Sequence, residues 1–203
     1  MIRKLLTLVL AFSLTAALAQ DNKKLQDAFN KSYTEEYNKD YKKAIQTLTA
    51  VYDAKSYEIN LRLGWLYYID GQYTQSVTYY QKSVDLMPYA VEPRFGIVYP
   101  LSALTKWDDV AKQYEEILKT DPNQTTANYR LGLIQYNKGN FAKAKPYFDK
   151  FLNLYPFDYD ANIMSAWTNL MLGKVNEARV LFNKALLLKP DDSSALDGLA
   201  RCK

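Results

Sequence analysis

Four prolines stand 34 residues apart: Pro88, Pro122, Pro156 and Pro190. A fixed period of that length marks an array of small units that bury their apolar faces only by stacking. Proline cannot continue a helix, so each of the four closes one unit and fixes the turn into the next. Seven glycines and seven prolines in 203 residues suit a helical chain with short turns. Such an array is built to hold partners, and the period points to binding before catalysis.

The residue inventory agrees. The sequence has no histidine, the commonest general base and metal ligand. Its one cysteine, Cys202, excludes an internal disulfide and a cysteine-based zinc site. That thiol reads as tolerated near a mobile terminus, with a bridge between chains as the other reading. There is no Ser-His-Asp set, phosphate-binding glycine loop or metal-ligand cluster. The acid pairs Asp108-Asp109 and Asp191-Asp192 read as helix caps and first-turn acids. A non-enzyme without cofactor or metal is expected. The formal charge is +4. Arg3 and Lys4 supply two of those positive charges. The remainder is too mild to indicate nucleic acid or an anionic membrane.

Residues 1–19 read as a secretory signal peptide. Arg3 and Lys4 precede an apolar run from Leu5 to about Leu18. Ala17-Leu18-Ala19 supplies a small-x-small cleavage site, with cleavage expected after Ala19. The run is shorter than the ~20 apolar residues that span a bilayer. Release into a bacterial periplasm or beyond is expected, without membrane insertion after cleavage.

Aligned on the prolines, residues 57–90, 91–124, 125–158 and 159–192 form four repeats. The repeat at 57 offers Leu63-Gly64, Tyr67, Gly71, Ser76, Tyr80 and Ser83 before Pro88. The repeat at 125 offers Leu131-Gly132, Gly139, Ala144 and Phe148. The repeat at 159 offers Ala166, Gly173, Ala178, Phe182 and Ala185. The repeat at 91 is weakest, with Val98 and Thr105 where the others favour glycine. A frame shifted by two gives a further repeat at about 25–56, with Ala44 and Leu48 matching. Residues 193–203 read as a capping helix, Leu196, Leu199 and Ala200 covering the last repeat. These motifs resemble the tetratricopeptide repeat family. The resemblance implies an all-α fold, an α-solenoid of helix–turn–helix repeats in a right-handed superhelix, over residues 20–203.

In that family the first helices line a concave surface through places two, five, nine, twelve and thirteen of each repeat. The resemblance therefore places Phe29, Tyr33, Tyr37, Leu61, Trp65, Tyr68, Phe95, Tyr99, Tyr129, Leu133, Tyr136, Ile163, Trp167 and Leu170 in the groove. The alternative is that these side chains pack against neighbouring repeats. Arg62 and Arg130, at place six, are candidate contacts for an acidic ligand group. A local pair with Glu58, four residues before Arg62, is the simpler reading. Asn60, Asn128 and Asn162 share place four and suggest hydrogen bonds between repeats. Pro100, four residues after Gly96, is expected to bend its helix, and a wider groove at Phe95 and Tyr99 is the sharper reading.

The expected function is a non-catalytic interaction scaffold that holds a protein or peptide partner. The alternatives are a module that assembles with its own copies and an envelope protein that binds glycans.

Overall fold

The computed structural model describes residues 22–203. The leader-like segment and its cleavage site lie outside them. Among the described residues there are eleven helices and no strand. Helix α1 covers 22–37. It is followed by α2 (Tyr41–Thr49), α3 (Tyr57–Ile69), α4 (Tyr73–Leu86) and α5 (Glu92–Ala103). Then come α6 (Trp107–Thr120), α7 (Thr125–Asn137), α8 (Phe141–Leu154), α9 (Tyr159–Met171), α10 (Val175–Leu188) and α11 (Ser193–Arg201). Each repeat thus contributes two successive helices, and α11 follows the last of them.

The contacts divide the chain into two compact units, Met1–Leu104 and Thr105–Lys203. The division falls between the two helices of the repeat with the weakest motif. In the first unit α3 packs on α2, α4 and α5. In the second unit α9 packs on α7, α8, α10 and α11. Contacts between consecutive helices and between first helices of neighbouring repeats are the α-solenoid arrangement, and each unit carries it.

Four local devices build these pairs. The first is capping. Ser56, Gln124, Asp158 and Asp192 each accept a backbone N–H with their side chain at the start of α3, α7, α9 and α11. These bonds satisfy donors that a helix start leaves open.

The second is a left-handed residue between the two helices of every repeat. Lys39, Gly71, Thr105, Gly139 and Gly173 have φ of 62°, 78°, 57°, 74° and 72°. In the frames given above, all five fall at place fifteen. At Gly71, Gly139 and Gly173 the following N–H reaches a carbonyl five residues back, which closes the helix end. Thr105 is β-branched and strained in this conformation. Thr105→Gly is expected to stabilise the protein by about 1 kcal/mol, the strain relieved less the added freedom of the unfolded chain. Urea unfolding should show a higher midpoint for Thr105→Gly and a lower one for Gly139→Thr.

The third device is a ring set into a glycine. A Cβ added at Gly64 would stand 2.7 Å from Cγ of Tyr80, and one at Gly132 would stand 2.6 Å from Cε1 of Phe148. Both rings belong to the second helix of the same repeat. Tyr80 also meets the following repeat, where a Cβ at Gly96 would lie 2.3 Å from its Cε1. Gly96 therefore serves packing against Tyr80. Pro100 stands inside α5 and is buried.

The fourth device is a side-chain donor at place four. Asn60 donates to the carbonyls of Ala54 and Ser56, Asn128 to those of Pro122 and Gln124, and Asn162 to those of Pro156 and Asp158. The three asparagines are buried. The sequence suggested bonds between repeats in the form of a ladder. The bonds do run between repeats, since every acceptor lies among the closing residues of the preceding repeat, and each asparagine pins the turn that enters its own repeat. In the repeat at 91 the place is held by Arg94, whose Nη2 donates to the Pro88 carbonyl at 3.2 Å. A planar donor at this place thus holds the carbonyl six residues earlier in four repeats.

The C-terminal helix differs from expectation. Its buried face is Ala195, Gly198 and Cys202, with Leu199 half-buried, while Leu196 and Ala200 are exposed. The ring of Phe182 explains the turn of the helix. A Cβ at Gly198 would come 2.1 Å from Cζ of Phe182, so the glycine must face that ring. Cys202 is buried in the same core as Ile163, Ala166, Phe182 and Ala185. Its carbonyl accepts from Arg179 Nη2 at 2.5 Å. The thiol is therefore a core residue, and the reading of a mobile terminus is corrected.

Candidate partner-binding face

The first helices of the first unit carry rings that the core does not use. Tyr33 is 53% exposed, Tyr37 88%, Trp65 36% and Tyr99 54%. Tyr68, Phe29, Leu61 and Phe95 are half-buried. The rings adjoin one another across α3 and α5. Tyr68 lies 5.7 Å from Trp65 and 5.6 Å from Tyr99, centroid to centroid. The aromatic face is continuous there.

A polar network joins this face to α1. Arg62 forms an ion pair with Glu36 and donates from Nε to Ser32 Oγ at 3.4 Å. Its guanidinium lies 4.0 Å from the centroid of the Tyr33 ring. Glu36 also accepts from Trp65 Nε1 at 2.7 Å. Arg62 is buried, and its Nη2 has no hydrogen-bond partner. Glu58, the partner expected from helix spacing, instead accepts from Ser56 Oγ. The pairing crosses from one repeat to the next because place six of α3 faces the preceding first helix. Glu36 is a residue of this face that helix spacing does not reveal, since its partner lies 26 positions on.

Beneath the rings sits Tyr80, whose phenol is pushed above its ordinary range. Burial is the largest cause, followed by the nearby Tyr99, Glu92 and Tyr68, while Arg62 acts in the opposite direction. Tyr99, Glu92, Tyr68 and Arg62 thus all act electrostatically on this one hydroxyl. Glu92 also accepts from Tyr57 Oη at 3.2 Å. Burial and that carboxylate push Tyr57 up to about 12.

In the second unit the corresponding rings are more engaged. Tyr129 lies 5.4 Å from Phe151 and 6.0 Å from Phe148. Tyr136 lies 5.2 Å from Phe141, and Trp167 lies 5.1 Å from Phe182. Trp167 also donates from Nε1 to Ser194 Oγ. These three rings, Leu133 and Leu170 are half-buried. Ile163 is buried in the core, so it is a packing residue here and is not presented to a partner. Arg130 is exposed. The second candidate cation, Arg62, is already committed to Glu36.

Among the described residues, no group of His, Cys, Asp and Glu could hold a metal ion, and no helix is long and apolar enough to cross a membrane.

Models of the tetratricopeptide repeat match residues 57–88, 101–144 and 138–202. A tetratricopeptide repeat protein from Parabacteroides merdae ATCC 43184 superposes with a TM-score of 0.73 at 20% identity. The match covers 89% of this chain and 72% of that one. MamA AMB-1 gives 0.71 at 22% identity, covering 87% and 97%. At these identities the likeness carries the fold alone. In sequence, the chain is 25% identical to human Protein O-mannosyl-transferase TMTC1 over 199 residues. That match covers 79% of this chain but only 22% of the human protein. Repeats of this type serve in general as scaffolds for protein–protein interaction. Period, helix pairing, glycine–ring contacts and the three matched segments agree: the chain belongs to the tetratricopeptide repeat family.

Proposed function

We propose that this protein is a non-catalytic scaffold that holds an extended peptide or a helix of a partner protein on its first-helix face. The observation that carries the reading is the set of exposed rings on α1, α3 and α5. Exposed Tyr and Trp give much contact area at low entropic cost and dominate binding hot spots. The rings come from three successive first helices, and side chains presented by neighbouring helices suit a polypeptide segment. The leader-like N-terminus supports action outside the cytoplasm.

Photo-crosslinking tests this. A photoreactive residue at Tyr99 should capture a polypeptide in native extracts, while one at the exposed Val180 of α10 should not. Tyr37→Ala and Tyr99→Ala should reduce partner recovery by about tenfold together, as expected for two exposed anchors. Unchanged recovery in both variants would remove the reading.

A further inference from the structure

Glu36 bonds Trp65, while the exposed Glu58 and Glu92 stand in the first turns of α3 and α5. The base at the centre is Arg62, which is buried and paired with Glu36. Its charge is spent inside the fold, so Glu92 and Glu58 set the sign that an incoming group meets. Neither is cancelled by Arg62. Glu92 accepts from a neutral phenol and Glu58 from a neutral hydroxyl.

The rings themselves favour cations. An aromatic face carries negative potential, and exposed tyrosine and tryptophan attract guanidinium and ammonium groups within about 6 Å. This protein already uses that attraction internally. Arg62 lies over Tyr33 at 4.0 Å, Lys82 over Tyr79 at 4.6 Å and Lys189 over Tyr159 at 3.4 Å. Among the described residues no cation lies over Trp65, Tyr68 or Tyr99, and the carboxylates Glu58 and Glu92 stand in the first turns of the same two helices. Ring faces and carboxylates acting together select a positive side chain on an apolar stem, as in arginine and lysine.

We infer that the track of Trp65, Tyr68 and Tyr99, with Glu58 and Glu92 in the first turns of the same two helices, takes a partner segment bearing arginine or lysine side chains. The inference rests on the scaffold reading above and specifies the chemistry of the partner. The cation lies against the rings while its stem covers them, and the carboxylates steer it from solution. Affinity therefore weakens as salt rises, because exposed charges about a Debye length apart are screened.

The test uses the full chain with Trp107→Phe and Trp167→Phe, so that Trp65 is the only tryptophan. Four capped peptides of equal length are compared by calorimetry and by Trp65 fluorescence: alternating Arg-Gly, Lys-Gly and Glu-Gly, and an uncharged proline-rich sequence. The Arg-Gly peptide is expected to bind and shift Trp65 emission, with Lys-Gly weaker and Glu-Gly silent. Tyr99→Leu keeps an apolar side chain but removes the ring, and should weaken Arg-Gly binding by about fivefold. Glu92→Gln should weaken it by about two- to threefold and reduce the salt dependence. Preferred binding of the proline-rich or acidic peptide overturns the basic partner and leaves the scaffold reading standing. Silence of all four peptides overturns both. Arg-Gly binding that Tyr99→Leu and Glu92→Gln leave unchanged shows attachment elsewhere, and also overturns the inference.

Discussion

Phe182→Ala is expected to lower stability by about 3–5 kcal/mol, the cost of emptying a fully buried aromatic site. Phe182 is 0% exposed and meets Trp167, Gly198 and the residues of the C-terminal core. Its loss removes packing on both sides at once, since the ring touches α9 and the capping helix. Two further variants give the control. Phe182→Leu retains most of the volume and should lose far less. Gly198→Ala should also destabilise, because its new methyl group has to displace the ring. Urea unfolding followed by circular dichroism reads all three. A loss under about 1 kcal/mol for Phe182→Ala would mean that α11 is not docked as described.

Glu36→Gln is the second large effect, and its origin is electrostatic. It leaves the Arg62 charge buried without its carboxylate. Removing one partner of a buried pair costs about 3–5 kcal/mol. Glu36 keeps part of its side chain in solvent. Screening brings the expected loss down to about 2–3 kcal/mol. The double change Glu36→Gln with Arg62→Met should recover most of it. Methionine fills similar volume and leaves no charge to solvate, and it also removes the unpartnered Nη2. A double variant no more stable than Glu36→Gln alone would show that the network acts through shape, not charge.

The repeats were legible in the sequence because their parts share one period. Gly64 with Tyr80, and Gly132 with Phe148, meet inside a single repeat, so the spacing that shows the motif also shows the contact. The place-four asparagines were visible for the same reason, although their target was not. A side chain reaching six residues back to a carbonyl leaves no mark on the sequence at the accepting end.

What crosses from one repeat to the next was hidden. Glu58 stands at helix spacing from Arg62 and competes for the assignment with Glu36, which only the stacking of α1 on α3 brings near. The face of α11 was misread because Leu196 is the larger apolar residue. The deciding factor is the Phe182 ring, which only a glycine can approach. Ring exposure was equally beyond reach. Tyr99 and Trp167 hold the same place in their repeats. The first is left open, while the second is half-covered by Phe182 and held by Ser194.

The place of Cys202 has a practical consequence. The chain's one thiol lies under the edge of α11, tied there through its own carbonyl by Arg179. A water-soluble thiol reagent can reach it only when that helix lifts away. The speed of labelling is then a clock for fraying at the C-terminal end, and it needs no engineered probe. Conditions that loosen the last turn of the stack register in that rate while the remaining helices stay folded.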